Sequence, residues 1–218
     1  MVRSSNVNGG DGATATSNTF TPRKQTSFLF TLLISFATFN IRGLGSQQDD
    51  SQHSKRELLG IDCKSYQIDI CAVQETKVTQ PESIVLANGY NLFLFDQLDG
   101  RHGGLGFVIS PRLIDYVDCW KYISDRVCYL ELKIPSRSGI PIRCRVVNTY
   151  CPHTGLVRKN PLVLENFYGQ LLEAIDVPSN VELQILGDFN SKLGKLSSLD
   201  IEFGYRKYGQ FGNVVTHG

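Results

Sequence analysis

The stretch Val181-Glu182-Leu183-Gln184-Ile185-Leu186-Gly187-Asp188-Phe189-Asn190 decides the reading of this chain. Its apolar residues at 181, 183, 185 and 186 read as a strand, and the glycine that follows opens a polar cluster at the strand's carboxyl end. In an extended segment Asp188 and Asn190 lie two apart and face the same way, while Phe189 turns into the core. A carboxylate and a carboxamide presented together can accept a proton from an attacking water and hold that water or the oxygen opposite it. The same tetrapeptide also reads as an Asx-rich turn that ends a strand, and these residues alone leave both readings open.

Two more apolar strands end in polar groups. Residues 36–41 form a strand stopped by Gly43 and Gly45 that carries Asn40, and residues 68–74 form a nearly continuous apolar strand followed by Glu75 and Thr76. An unpaired carboxylate at the end of so buried a strand is penalised by desolvation, so Glu75 calls for hydrogen-bond donors or a cation. A hard divalent ion suits it, since magnesium takes one or two protein carboxylates and keeps water or substrate phosphate elsewhere. The Asn40 side-chain oxygen either joins that shell or braces Glu75. Tyr150 ends a strand over 142–150, just before Pro152, where its phenol can donate to a phosphate oxygen that gains charge during attack; it can equally be an aromatic packing on the core. His102 and His153 read as exposed loop residues, and no Asp-His dipeptide occurs.

Around these clusters the pattern predicts further strands at 92–95, 105–109 and 127–134, with turns at Asp99-Gly100, Ser110-Pro111 and Ser138-Gly139. Ser54-Lys55-Arg56-Glu57 has capping-box spacing and opens a helix with Leu58, Leu59, Cys63 and Tyr66 on one face. Asn160-Pro161 makes an N-cap and first turn for a second helix, with Leu164, Phe167, Leu171 and Ile175 at helical spacing. Many strands and two helices imply packed sheets with helices outside. At 218 residues and 41% apolar the chain supports one full core. Residues 1–27 are rich in Ser, Thr, Asn and Gly, so 1–35 reads as a disordered leader running into an apolar segment, with the domain over 36–218.

The 22 basic and 21 acidic residues exclude a broad charge-driven coat for nucleic acid, but not a local basic rim around an acidic metal site. The six cysteines show no CxxC pair and read as reduced thiols of an intracellular protein. The apolar run at 28–39 follows Arg23-Lys24, and Ser35 and Ala37 are spaced like a signal-peptidase site. It is shorter than the roughly 20 residues that span a bilayer, and cleavage after Ala37 would destroy the strand that carries Asn40. Secretion and a membrane anchor are therefore disfavoured.

Taken in order, Phe-Asn-Ile-Arg-Gly-Leu around Asn40, Gln-Glu-Thr around Glu75, Asn-Thr-Tyr-Cys-Pro around Tyr150 and Gly-Asp-Phe-Asn at 187–190 resemble the endonuclease/exonuclease/phosphatase (DNase I-like) superfamily. Gly-Asp-Phe-Asn-Ser-Lys-Leu-Gly, Ile-Ser-Asp-Arg-Val at 123–127 and Gly104-Leu105-Gly106-Phe107 are similar to non-LTR retrotransposon endonucleases and to craniofacial development protein 2-like sequences. The resemblance implies an α/β fold, a four-layer sandwich of two mixed sheets flanked by helices. It implies Mg²⁺, with Mn²⁺ as a substitute, held by Glu75 and Asn40; Asp188 orienting or deprotonating water; and Asn190 and Tyr150 contacting the scissile phosphate. The implied substrate is DNA, nicked in the nucleus, with a reverse transcriptase domain alongside in a full-length element. Other branches act as deadenylases, inositol-phosphate phosphatases or sphingomyelinases, and a degenerate, non-enzymatic fragment is a further alternative. Family members continue for two or three more strands to a Ser-Asp-His-like motif. His217 aligns instead with a glycine-rich loop, so the resemblance implies a domain lacking its last strands, with weak or no activity.

Overall fold

The structure, a computed structural model, describes residues 33–44, 54–95 and 103–191. Residues 1–32 of the expected leader, the Asp99-Gly100 turn, His102 and His217 lie outside the described residues. By its contacts the chain divides after Leu33, and the elements below all belong to the second unit, Ile34–Gly218.

The chain runs β1 (Phe36–Asn40), α1 (Lys55–Ser65), β2 (Ile70–Gln74), β3 (Glu82–Val85), β4 (Asn91–Leu94), β5 (Leu105–Ile109), β6 (Val117–Ser124), β7 (Val127–Ile134), β8 (Ile142–Tyr150), α2 (Thr154–Lys159), α3 (Leu162–Ile175) and β9 (Val181–Asp188). Five strands form a sheet in the order β1-β2-β5-β4-β3, and four form a second in the order β6-β7-β8-β9. Both sheets are mixed. β1 runs parallel to β2, with Asn40 opposite Gln74, and β8 runs parallel to β9, with Tyr150 opposite Asp188; the other pairs are antiparallel.

Strand alternation sorts the core into three apolar layers, which define four layers of structure. Between the sheets lie Ile70, Ala72, Leu105, Phe107 and Ile109 from the first, against Cys128, Leu130, Leu132, Cys144 and Val146 from the second. Cys71, Val73 and Val108 point outward and are covered by Leu59 and Cys63 of α1. Val127 and Val147 point outward from the second sheet and are covered by Phe167, Leu171 and Ala174 of α3. The expected sandwich of two mixed sheets flanked by helices is thus observed. All six cysteines are free thiols, and among the described residues no helix is long and apolar enough to cross a membrane.

Several local expectations are corrected. The buried face of α1 is Arg56, Leu59, Gly60 and Cys63, while Leu58 and Tyr66 are exposed. Arg56 is buried because it forms a two-pronged ion pair with Glu82 on β3. Ser54 accepts from the Glu57 N–H at 3.4 Å, but the Glu57 carboxylate turns away from the cap to accept from the Ala87 N–H. Asn160 does not cap α3 with its side chain; it closes α2, a short helix that the sequence pattern did not announce. β3 and β6 were likewise unannounced. Both are edge strands whose side chains are mostly partly or fully exposed, so neither carries a strong apolar signature.

At the carboxyl ends of the strands the inter-sheet layer turns polar. Gln74 continues the inward row of Ile70 and Ala72, and Asn148 continues that of Cys144 and Val146; they meet with Gln74 Nε2 donating to Asn148 Oδ1 at 2.8 Å. Asn148 Nδ2 donates in turn to the Val73 and Gly106 carbonyls at 3.0 and 2.8 Å, and both side chains are essentially inaccessible to water. Gly106 instead lets β5 lie close to β4, since a Cβ there would stand 2.6 Å from the Phe93 carbonyl oxygen.

Elsewhere, two buried carboxylates are neutralised by arginine. Asp69 accepts from Ser35 N, Ser110 Oγ and the Arg112 guanidinium, and Glu131 accepts from Arg143 and Arg145. Burial pushes both carboxyls up, but these donors and charges outweigh it and hold each below its ordinary value of 3.8 or 4.5. Depressed folded values mean that the stability they supply is complete above the unfolded values and is lost as pH falls through the folded ones. Urea midpoints should therefore hold from neutrality down to about pH 4.5 and then decline, and the acid decline should be shallower in Asp69→Asn. Asn148→Leu leaves Gln74 Nε2 without its partner in the core and takes a second donor from the Val73 and Gly106 carbonyls, which face each other in the β2–β5 ladder. At about 1–3 kcal/mol for the one stranded donor, with smaller losses at carbonyls that keep a partner, it should cost about 3 kcal/mol, read as a lower urea midpoint at unchanged slope.

Candidate active site

The two parallel strand pairs end side by side, and their carboxyl ends frame a cleft of about 390 Å³ lined by Thr38, Asn40, Gln74, Gly187, Asp188, Phe189, Asn190 and Ser191. Asn40 shares the inward parity of Phe36 and Thr38 on β1, and Asp188 that of Leu186 on β9. Asn40 Nδ2 donates to Glu75 Oε1 at 2.7 Å and to Asp188 Oδ2 at 2.9 Å, so one amide joins two carboxylates from opposite sheets. Tyr150 Oη donates to the same Glu75 Oε1 at 2.8 Å.

Glu75 reaches this cluster against the strand's alternation. Continued extension of β2 would send it outward with Cys71 and Val73; a left-handed turn at φ +54° returns it to the inward side. Left-handed backbone at a glutamate costs about 1 kcal/mol. The turn is held by Thr76 N–H donating to the Gly104 carbonyl at 3.1 Å and by Lys77 N–H donating to that of Gly103 at 3.4 Å.

Asp188 and Asn190 also come together by a turn. Asn190 sits at φ +48°, beyond the end of β9, and its N–H donates to Asp188 Oδ1 at 2.8 Å while its Nδ2 donates to the Cys151 carbonyl at 2.6 Å. The Asx-turn reading of this tetrapeptide is the geometry found, and it still places both side chains at the cleft. Phe189 is not a core residue as expected but 41% exposed. It follows the outward parity of Leu183 and Ile185, and Ile185 too is 40% exposed. Gly187 is required where β9 passes β8: its φ is +155°, and a Cβ would lie 2.0 Å from the Thr149 carbonyl oxygen.

Burial pulls the Glu75 carboxyl upward, but hydrogen bonds from Asn40 and Tyr150 and the charges of Lys77 and Arg42 outweigh it and hold it below its ordinary value. The Tyr150 phenol is pushed up to about 12 by burial and by its bond to the Glu75 carboxylate, so at neutral pH it is a neutral donor. Lys77 Nζ stands 3.9 Å from Glu75 Oε2, which makes no hydrogen bond among the described residues.

Among the described residues no three His, Cys, Asp or Glu side chains cluster as a metal cage. The donor set fits a hydrated hard cation held by Glu75 Oε2, which needs only one or two carboxylates, and does not fit zinc. Asn40 acts here as a brace, since its Oδ1 accepts from the Arg42 N–H at 3.2 Å while its Nδ2 serves the two carboxylates. His153, the one histidine among the described residues, caps α2 by accepting from the Leu156 N–H.

Replacing Asn40 by leucine removes two charge-assisted bonds and leaves two facing carboxylates. Because water reaches the cleft, the loss should be about 1–2 kcal/mol, less than for Asn148→Leu, in the same urea assay.

A sequence profile of the Endonuclease/Exonuclease/phosphatase family matches residues 37–216. No curated protein sequence matches the chain. Among solved structures, the Xenopus laevis APE2 catalytic domain is similar at a TM-score of 0.52 and 20% identity, over 77% of this chain and 63% of that one. The human Nocturnin catalytic domain with bound sulfate anion gives 0.37 and 16%, over 63% and 57%. TDP2 from C. elegans gives 0.39 and 15%, over 65% and 45%. The chain thus spans less than two thirds of each of these structures. With its two mixed sheets and the profile running through both, the chain belongs to the endonuclease/exonuclease/phosphatase family.

Proposed function

We propose that the cleft is a magnesium-dependent phosphodiester hydrolase site acting on DNA, of the non-LTR retrotransposon endonuclease type. The observation that carries this reading is the convergence of five residues singled out from sequence: Asn40, Asp188 and Asn190 line the cleft, and Glu75 and Tyr150 join them through hydrogen bonds at Glu75 Oε1. A bound Mg²⁺ would supply charge stabilisation on the phosphoryl and leaving oxygens, and Mn²⁺ would substitute.

Glu75 would hold the ion through its open oxygen, with Asn40 fixing the carboxylate's orientation. Asp188 keeps lone pairs for a water because the groups bonded to it are N–H donors, the Asn40 amide and the Asn190 backbone, and it would orient or deprotonate that water. Tyr150, a neutral phenol with a single proton, gives it to Glu75 in the free chain and would turn it to the phosphoryl oxygen as substrate binds; Asn190, whose amide bonds the Cys151 carbonyl and the Tyr150 hydroxyl, would contact the phosphate beside it.

An extended polyanion suits the surroundings better than a small phosphomonoester. Arg42 and Lys77 are exposed on the loops after β1 and β2, and Arg158 and Lys159 are exposed on α2, just beyond Tyr150-Cys151-Pro152. Such contacts add affinity that falls with salt. The resemblance of Gly-Asp-Phe-Asn-Ser-Lys-Leu-Gly and Ile-Ser-Asp-Arg-Val to retrotransposon endonucleases supports DNA nicking in particular.

Incubation with supercoiled plasmid and Mg²⁺ tests the proposal. We expect slow conversion to nicked circles, suppressed by chelator and reduced at least about 100-fold in Glu75→Ala and Asp188→Ala. Phosphate release from an inositol polyphosphate without plasmid nicking would instead assign the chain to another branch of the family.

A further inference from the structure

The Ile123-Ser124-Asp125-Arg126-Val127 stretch takes no part in the chemistry proposed above, yet it forms the turn between β6 and β7 and touches both sides of the carboxylate cluster. On one side the Gly104 N–H donates to the Asp125 carbonyl at 3.3 Å, and Gly103 and Gly104 in turn hold Lys77 and Thr76, so the turn backs the loop that carries Glu75. A Cβ on Gly104 would stand 2.5 Å from Thr76 Oγ1, so glycine permits this stacking of loops. On the other side Arg126 grips Tyr150 at three points. Its carbonyl accepts from the Tyr150 N–H at 2.9 Å, its Nη1 donates to the Tyr150 carbonyl at 3.3 Å, and its guanidinium carbon lies 5.2 Å from the centre of the Tyr150 ring.

Arg126 is itself 8% exposed, and its N–H donates to Ser124 Oγ at 3.3 Å, while that hydroxyl donates to Gln170 of α3 at 2.7 Å. The turn is thereby pinned to the helix layer. A planar guanidinium can cover a ring and donate to a carbonyl at once, whereas the lysine ammonium is a point charge that cannot match both.

We propose that this turn is the positioning element of the site, with Arg126 holding the Tyr150 ring so that its hydroxyl stays on Glu75. The consequence for rate rests on the hydrolase reading above; the positioning is a property of the folded chain and is tested without turnover. Exchange of the Tyr150 hydroxyl proton can be read from the deuterium isotope shift of the tyrosine Cζ signal, with Tyr150 assigned by its disappearance in Tyr150→Phe. Exchange should be at least about tenfold faster in Arg126→Met, with Arg126→Lys between it and the unaltered protein. If Arg126→Met does not fold, Arg126→Lys carries the test, with exchange a few-fold faster. In plasmid nicking, Arg126→Met and Tyr150→Phe should each lower kcat about tenfold with KM little changed, and the double variant should be no slower than Tyr150→Phe alone. Unchanged hydroxyl exchange in either folded Arg126 variant, or additive losses in kcat, would overturn the proposal. If the unaltered protein nicks nothing, the hydrolase reading fails, and the exchange rates still decide the role of Arg126.

Discussion

The buried amide pair Gln74–Asn148 sets how the two sheets meet, and the geometry of the cleft follows from it. The apolar contacts in the middle of the sandwich are non-directional and would tolerate a small slide of one sheet over the other. The amide pair does not tolerate it. Asn148 satisfies Gln74, Val73 and Gly106 together, and in a low dielectric each lost partner is costly. With that register set, the next polar residues outward, Asn40 with Asp188 and Tyr150 with Glu75, fall within hydrogen-bonding distance across the same seam.

Among the described residues, four of the five non-glycine positions at positive φ lie just beyond this seam; the fifth, Gln67, follows α1. Arg42, Glu75, Lys77 and Asn190 all have φ between +48° and +55°, on the loops that leave β1, β2 and β9. Residues in this region persist only where their surroundings over-determine them. The turn at Glu75 detaches its side chain from the alternation of β2 and re-aims it toward the cleft residues. The glycines at 104 and 187 complete the arrangement by letting neighbouring backbones approach more closely than a Cβ allows.

The central strands and the two longer helices were legible in the sequence because a strand buried on both faces reads as a nearly continuous apolar run and a helix packed on one face keeps a 3.6-residue apolar period. The edge strands β3 and β6 were not, since exposed edges carry mixed side chains. The face of α1 was misjudged because Arg56 looks polar in sequence, and only its ion pair with Glu82, 26 residues away, explains its burial. At the cleft the residue types were legible but their directions were not. Alternation placed Asp188 and Asn190 on one side of an extended strand and Phe189 in the core, whereas an Asx turn does the first and the second does not occur. The role of Arg126 was invisible to spacing, although its motif had been noticed, because its partner Tyr150 lies 24 residues on and across two strands.

The carboxylates of the molecule fall into two kinds, and the difference bears on chemistry. Asp69 and Glu131 are neutralised by guanidinium groups in direct contact, so their charge is closed off. Glu75 and Asp188 are held by neutral donors instead: the Asn40 amide, the Tyr150 phenol and the Asn190 backbone. Among the described residues the nearest cation to Glu75 is Lys77, at 3.9 Å. Neutral donors fix the position of a carboxylate without cancelling its charge, so two negative groups remain close together at the mouth of a cleft. The Glu75 carboxyl is nonetheless held below its ordinary value, because the Asn40 and Tyr150 hydrogen bonds and the charges of Lys77 and Arg42 outweigh its burial, so its charge is kept at neutral pH for a cation to meet.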